Sequence, residues 1–169
     1  PFRLYKTNTH QGGHQVPLII SKGDGLNDRG SIRKQYQHVT DLLPTILEML
    51  EVKIPQERKG QKLVPPSGNS FLESLNDEEA ESTHRLQYYE QEGHRGIYRE
   101  GWSAVTCHQK RTSFEEDKWE LFDLSTDPTE TQDLSDLHPE VLSELKDIWE
   151  QEAWANQVFP LDEGTGLKN

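Results

Sequence analysis

The first twenty residues hold the side chains that are best suited to binding an anion. Lys6 supplies an ammonium group, and His10 and His14 can donate hydrogen bonds on either side of Gly12-Gly13. An ammonium on a flexible stem suits a tetrahedral oxyanion. The glycine pair permits positive φ or a close backbone approach, and it would serve equally well as a tight turn into a strand. We therefore predict an oxyanion-contacting turn with Lys6 as its main contact and His10 as a second one.

A strand must follow this turn and hold it in place. Val16–Ile20 is a short apolar run that is rich in β-branched residues, with turn-forming glycines on both sides. Pro17 lies near its start, where a missing N–H is tolerated. The run predicts a core strand of a larger sheet.

A helix and a loop come next along the chain. Val39–Leu50 carries apolar residues at helical spacing, which predicts an amphipathic helix. Thr40 or Asp41 would cap its N-terminus, and Pro44 would then lie in the first turn, where it costs little. Lys53–Asn69 contains three prolines and two glycines and predicts a loop.

The second half of the chain predicts a small antiparallel sheet covered by a helix. Glu100-Gly101 is a candidate for a tight hairpin turn. A helix is predicted from His138-Pro-Glu onward, with Asp136 as its cap and apolar residues at helical spacing. The predicted strands are Arg85–Glu90, Arg95–Arg99, Trp102–His108 and Lys118–Leu124.

Composition excludes some classes of partner. The formal charge is −12, so the chain lacks the cationic surface that binding to nucleic acid or to an anionic membrane needs. No apolar run is long enough to span a bilayer. Apolar residues make up only 31% of the chain, which is lean for a self-sufficient core. The absence of a starting Met also leads us to expect a missing N-terminal segment as a partner.

Five stretches in order resemble the carboxy-terminal part of the type I sulfatases, which belong to the alkaline phosphatase superfamily, and the arylsulfatases look closest. The resemblance covers most of residues 1–160. The stretches are Tyr5-Lys-Thr-Asn-Thr-His-Gln-Gly-Gly-His-Gln-Val-Pro-Leu-Ile-Ile20, Val39-Thr-Asp-Leu-Leu-Pro-Thr-Ile46, Gly68-Asn-Ser-Phe-Leu72, Tyr88-Tyr-Glu through Gly101-Trp, and Trp119-Glu-Leu-Phe-Asp-Leu-Ser-Thr-Asp-Pro-Thr-Glu-Thr131.

The resemblance implies a sulfuric ester hydrolase. Its parent enzyme would use calcium and a formylglycine nucleophile, and Lys6 matches the lysine that contacts the substrate sulfate. Gln11 stands where the family commonly has Glu, and Ser103 stands where relatives often carry Lys. The family's metal ligands and its nucleophile precede the part that matches, so no catalytic or metal-ligating residue is expected in this chain.

Cys107 is the single cysteine, and Cys107-His-Gln-Lys-Arg111 imitates the signature from which formylglycine is made. Gln109 departs from that signature, and the segment lies late in the chain, inside the predicted sheet. We therefore interpret Cys107 as a small buried or half-buried residue. The carboxylates Asp123, Asp127 and Glu130 are interpreted as caps and turn formers.

The predicted fold is α/β, becoming α+β in the C-terminal part. Residues 1–76 would form the closing strand, helix and loop of an incomplete alkaline-phosphatase-like main domain. Residues 77–169 would form a four-stranded antiparallel sheet packed on a C-terminal helix. The isolated chain is expected to be inactive. The alternatives are a phosphodiesterase or phosphonate hydrolase of the same superfamily, a non-catalytic fold-support or interaction module, and a standalone anion-binding domain.

Overall fold

The computed structural model describes residues 2–23, 26 and 30–165 of the chain. They form two compact units, one made of the residues up to Pro17 together with those from Leu86 onward, the other of Leu18–Arg85. Within the described part of the chain, no helix is long and apolar enough to cross a membrane. The division at residues 76 and 77 stays a prediction about the parent's domains.

Regular structure is short in the first half and longer in the second. The helices are α1 Gln11–His14, α2 Leu42–Met49, α3 Leu72–Asn76 and α4 Pro139–Ala155. The strands are β1 Glu57–Arg58, β2 Gln61–Lys62, β3 Leu86–Gln91, β4 His94–Arg99, β5 Trp102–Thr106 and β6 Trp119–Asp123. Single 3₁₀ turns cover Val39–Asp41 and Phe114–Glu116.

The last four strands form an antiparallel sheet in the order β3-β4-β5-β6. All four predicted strands are confirmed, with ends displaced by at most two residues. Glu100 and Gly101 join β4 to β5, and both have positive φ, as a tight two-residue hairpin turn requires. The sheet is therefore a simple meander, in which each strand pairs with the next along the chain.

α4 covers one face of this sheet and completes the core. Leu145, Trp149 and Ala153 of α4 pack on Ile97, Ala104, Trp119 and Leu121 of the strands. The Trp149 indole N–H donates to the Tyr89 carbonyl at 3.0 Å, which satisfies its polar atom. The fold class is confirmed: helix and sheet are mixed, and the four-stranded sheet packs on the C-terminal helix. Asp136 is not the cap of α4, because His138 precedes the helix and Pro139 opens it.

The other unit contains the predicted helix, which begins after a 3₁₀ turn at residue 42. Pro44 lies in its first turn, as predicted. Asp41 precedes the helix but does not cap it with its side chain. Its fully buried carboxylate accepts instead from the His38 N–H at 2.7 Å, the Asn69 N–H at 2.9 Å and the His84 Nδ1 at 2.8 Å. A buried carboxylate with three such partners fastens the start of α2 to two distant segments.

One prediction for the first half is wrong, and the closing strand of the larger sheet stays a prediction. Val16–Ile20 is extended, but it pairs with no strand of the described residues, and Ile19 is 90% exposed. An apolar run becomes a strand only when a neighbouring strand accepts its hydrogen bonds, and the described residues offer none here. The predicted loop at residues 53–69 contains the small exposed hairpin β1-β2, which turns through Lys59 and Gly60 at positive φ.

Candidate functional site

The turn that carries Lys6 closes on itself through its backbone. The Gly12 N–H donates to the Arg3 carbonyl at 2.8 Å, and the Asn8 N–H donates to the Tyr5 carbonyl at 3.2 Å. Leu4 and Thr7 have positive φ, of 58° and 78°, which reverses the chain on both sides of Lys6. Lys6 is therefore held near the tip of a compact loop.

Gly12 and Gly13 serve this loop by close approach, which is one of their two predicted roles. A Cβ on Gly12 would lie 2.1 Å from the Leu4 carbonyl oxygen, and one on Gly13 would lie 1.8 Å from that of Asn8. In both cases the atom in the way belongs to the backbone, so it cannot move aside as the end of a flexible side chain could. Positive φ is not the reason, because neither glycine adopts it.

The burial pattern of the loop singles out Lys6. Asn8, Thr9, His10 and Gln11 are buried, whereas the Lys6 side chain is exposed. None of the described residues forms a hydrogen bond or an ion pair with it. The polar residues that follow Lys6 thus anchor the loop, and the Lys6 ammonium stays available to a ligand.

Thr9 anchors the loop to the centre of the sheet. Its hydroxyl donates to the Arg95 carbonyl of β4 at 2.9 Å. A Cβ on the neighbouring Gly96 would lie 3.0 Å from the Thr9 Cβ, so Gly96 leaves room for this contact. The predicted turn is therefore fixed to the second half of the chain, more than eighty residues away.

His10 forms the second anchor, through Glu120 of β6. The His10 Nε2 lies 3.0 Å from Glu120 Oε2, and Glu120 Oε1 accepts from the Arg3 guanidinium at 2.7 Å. Burial disfavours the imidazolium, but hydrogen bonds to Cys107 and Glu120 outweigh it and raise the pKa of His10 to about 9. The hydrogen bond from His10, assisted by Arg3, also holds the pKa of Glu120 below its usual value. Arg3, His10 and Glu120 therefore form a charged network that fixes both ends of the loop.

Glu130 forms the third anchor, which corrects its interpretation as a turn former. It is 1% exposed, and its Oε2 accepts from the Gln11 N–H at 2.8 Å. Burial raises the pKa of this carboxyl. Asp127 and Asp123 do form turns as predicted: Asp127 accepts from the Thr131 and Gln132 N–H groups, and Asp123 accepts from that of Ser125.

Cys107 lies directly after β5 and is half-buried, as predicted. Its Sγ lies 3.6 Å from Asn8 Oδ1 and 3.9 Å from His10 Nδ1. It does not stand at a helix N-terminus, where the formylglycine signature belongs, and Asn8 and His10, which lie close to its sulfur, belong to the Lys6 loop. The thiol is therefore part of the anchoring network.

Sequence reasoning missed Arg3, Glu120 and Glu130 as partners of the loop. Each contact joins residues more than a hundred positions apart, so no local spacing reveals it. One signal was present for Glu120, because an acidic residue inside an apolar strand needs a partner. His14, the remaining predicted candidate, stacks on Tyr89 with ring centroids 4.2 Å apart.

No group of three or more His, Cys, Asp or Glu side chains in the described ranges is arranged to hold a metal ion. The described residues therefore do not provide a ligand set for calcium. Where the parent's metal ligands lie stays a prediction.

Comparison with known proteins identifies one family. Residues 4–154 match the family described as N-sulphoglucosamine sulphohydrolase, C-terminal. An uncharacterized sulfatase of Schizosaccharomyces pombe is 31% identical over 151 residues, which cover 88% of this chain and 26% of that protein. Arylsulfatase K of Bos taurus is 25% identical over 146 residues, which cover 85% of this chain and 26% of that protein. The chain thus spans about a quarter of the length of these relatives.

A solved structure shares the fold. The crystal structure of Ps i-CgsB aligns with a TM-score of 0.50 at 19% identity, over 73% of this chain and 25% of that one. At this identity the match concerns the fold alone.

Proposed function

This chain belongs to the N-sulphoglucosamine sulphohydrolase C-terminal family of sulfatases, and on that premise we propose that Lys6 contacts the sulfate group of the substrate. The parent would be an arylsulfatase-like sulfuric ester hydrolase, and this chain its carboxy-terminal portion. The observation that carries the proposal is the exposed ammonium of Lys6 on a loop whose other polar residues are anchored.

Lys6 would act through charge. Hydrolysis of a sulfate ester develops negative charge on oxygens of the sulfate and of the leaving group, and a fixed cation stabilises it. Closure of the loop through Gly12 and its anchoring through Thr9, His10 and Gln11 would hold the backbone that carries Lys6 in place before the substrate arrives. Preorganisation of this kind spares the cost of ordering the loop during binding.

His10 would position the loop. Its side chain has no exposed surface, and its ring nitrogens face Glu120 and Cys107, so direct contact with sulfate would require the loop to open. We assign it the task of fixing the backbone between Lys6 and the glycines.

Calcium and formylglycine would belong to the remainder of the parent. When bound, calcium would neutralise sulfate oxygens, and formylglycine would supply the nucleophile. The residues described here do not fit either group, because they offer no metal-ligand cluster and their single cysteine is tied to the Lys6 loop. No step through these groups is assigned to this chain.

Apolar residues of the first half would pack against the rest of the parent. Val16 and Ile19 are 76% and 90% exposed, and Ile46 of α2 is half-exposed. Burial of an apolar side chain contributes ~1.5–3 kcal/mol, so such a set is costly to leave in water. We propose that Val16–Ile20 becomes a strand of the parent's main sheet and that α2 covers that sheet.

Replacement of Lys6 in the parent protein tests the proposal. Lys6→Ala should lower kcat/KM for an aryl sulfate by about 10²–10³-fold, the usual loss when one fixed electrostatic contact to the transition state is removed. Lys146→Ala, which removes an exposed lysine of α4, is the matched control and should leave kcat/KM unchanged. A Lys6→Ala enzyme with full activity would rule out the contact. Turnover of phosphodiesters in place of sulfate esters would favour the phosphodiesterase alternative.

A further inference from the structure

Cys107 borders an open pocket on one side. Cys107 is half-buried, and it lines an open pocket of about 380 Å³. The other lining residues are Gln109, Thr112, Glu116, Asp117, Lys118 and Glu120. A small molecule can therefore approach Cys107 without unfolding of the sheet.

On its buried side the sulfur faces a fixed imidazole. The His10 Nδ1 lies 3.9 Å from Cys107 Sγ, and the opposite nitrogen lies 3.0 Å from Glu120 Oε2. A carboxylate on one nitrogen of a histidine stabilises the protonated ring, and a protonated ring stabilises a neighbouring thiolate. The order Glu120, His10, Cys107 is thus that of an activated cysteine.

A second histidine supports the thiolate. The His108 N–H donates to His94 Nδ1 at 3.0 Å, which leaves the proton of the neutral His94 ring on Nε2. The His94 side chain also interacts with Cys107. The sulfur therefore has a potential donor from β4 in addition to the one from the Lys6 loop.

The balance of charges favours the thiolate at neutral pH. Burial opposes ionisation, but the hydrogen bonds from His10 and His94 outweigh it and lower the pKa of Cys107 to about 7. The charged or titratable groups that face the sulfur or its pocket are His10, His94, Glu116, Asp117, Lys118 and Glu120.

We propose that Cys107 is a modification site for small disulfides. The Cys107 thiolate attacks one sulfur of the disulfide, a new S–S bond forms, the original S–S bond breaks, and one thiolate leaves. No other oxidant is needed, because the incoming disulfide is reduced as the cysteine is oxidised. The proposal does not depend on the sulfatase assignment.

The modification would act on the Lys6 loop. Asn8 Oδ1 accepts from the Cys107 thiol at 3.6 Å, and the Asn8 side chain in turn donates to the Tyr5 carbonyl at 3.0 Å. A mixed disulfide has neither the thiol proton nor the thiolate charge, so Asn8 and His10 both lose a partner. The site would therefore couple thiol chemistry to the loop.

The test uses the unaltered 169-residue chain and the neutral reagent 2,2′-dithiodipyridine. We expect the rate of thiopyridone release to rise with a midpoint near pH 7, against a midpoint near ~8.5 for the same chain in guanidinium. The midpoint is a sharper readout than the rate at pH 7. The folded chain should hold ~15-fold more thiolate than the denatured chain at pH 7, but its rate should be only ~3–4-fold higher, because a thiolate of lower pKa is a weaker nucleophile. Glutathione disulfide should give a mixed disulfide at Cys107 by mass spectrometry.

Variants separate the role of His10 from general burial. His10→Gln should raise the midpoint by at least one pH unit, whereas His138→Gln, a partly exposed histidine before α4, should leave it unchanged. Equal midpoints for the native and denatured chain, or no adduct with glutathione disulfide, would overturn the proposal. The comparison of the native and the denatured unaltered chain can overturn the proposal without any variant. The test therefore remains valid if the His10→Gln variant fails to fold.

Discussion

The two compact units of this chain are stabilised in different ways. In the unit that contains the sheet, apolar side chains of four strands and α4 bury one another. In Leu18–Arg85, Phe71 is the one described hydrophobic residue that is fully buried, while Ile19, Ile32, Leu43 and Ile46 are at least half-exposed. Polar residues such as Asp41 and His84 occupy its interior instead. The first unit thus has an apolar core of its own, and the second leaves most of its large apolar side chains exposed.

The difference matters for function, because the Lys6 loop belongs to the unit with the apolar core. Its anchors, Arg95, Glu120 and Glu130, all lie on or beside the sheet. On the proposed role of Lys6, the sheet would serve as the support for the sulfate contact. The unit of Leu18–Arg85 would instead provide attachment to the rest of the sulfatase.

The largest expected contrast is in stability. Trp149→Ala removes a buried indole that packs on Trp119 and Phe159, and it should lower the free energy of unfolding by about 3–5 kcal/mol. Ile46→Ala, at a half-exposed position of α2, should cost less than ~1 kcal/mol. Urea unfolding followed by circular dichroism measures both. Equal losses would show that the two units are stabilised in the same way.

A second contrast concerns two glycines. Gly13→Ala places a methyl group against the Asn8 backbone and should destabilise the chain by roughly 3 kcal/mol, because backbone cannot yield as a side chain can. Gly23→Ala meets no described atom within 4 Å and should change stability by less than ~0.5 kcal/mol. Thermal unfolding of the two variants measures both changes in stability. A Gly13→Ala variant as stable as the unaltered chain would show that the Lys6 loop is not closely packed.

The smallest expected effect is a dependence on pH that originates in the loop's network. The pKa of His10 is raised from 6.5 to about 9, so folding takes up a proton between these values and stability falls as pH rises. The pKa of Cys107 is lowered to about 7, so folding releases a proton between pH 7 and its unfolded value near ~8.5, and stability rises there. The contributions of His10 and Cys107 to the change of stability with pH therefore have opposite signs.

The unaltered chain should therefore change in stability by less than ~0.5 kcal/mol between pH 7 and 8.5. Cys107→Ala removes the rising slope and also a hydrogen bond that raises the pKa of His10, so the falling slope of His10 should become shallower as well. Urea midpoints at several pH values measure this. A fall of the full ~1.7 kcal/mol between pH 7 and 8.5, as for a His10 pKa still at about 9, would contradict the coupling between Cys107 and His10.

Elements that bury a face within the chain could be predicted from the sequence. The strands β3 to β6, the helix α4 and the start of α2 follow from apolar periodicity and turn residues, which are local signals. Val16–Ile20 carries the same kind of signal, yet it forms no strand, because pairing depends on a neighbour that the described residues do not supply. The apolar residues of α2 are exposed for the same reason.

The candidate site was predictable only in part. Lys6 and the glycines could be identified because they lie within eight residues of one another and match a known pattern. The partners of His10 could not, because Cys107 and Glu120 lie about a hundred residues away and only the folded sheet brings them together. The sequence likewise predicts only a turn at Glu130, because its contact with Gln11 spans more than a hundred residues.

Sulfate release, measured for the parent protein and for the 169-residue chain under the same conditions, decides whether this chain supplies part of a sulfatase site. We expect the parent to hydrolyse at least one ester of a panel of aryl and sugar sulfates, and the chain alone to hydrolyse none. Turnover by the chain alone would contradict the claim that it contributes a sulfate contact without the nucleophile. A parent that releases no sulfate from any ester of the panel would contradict the sulfatase assignment itself.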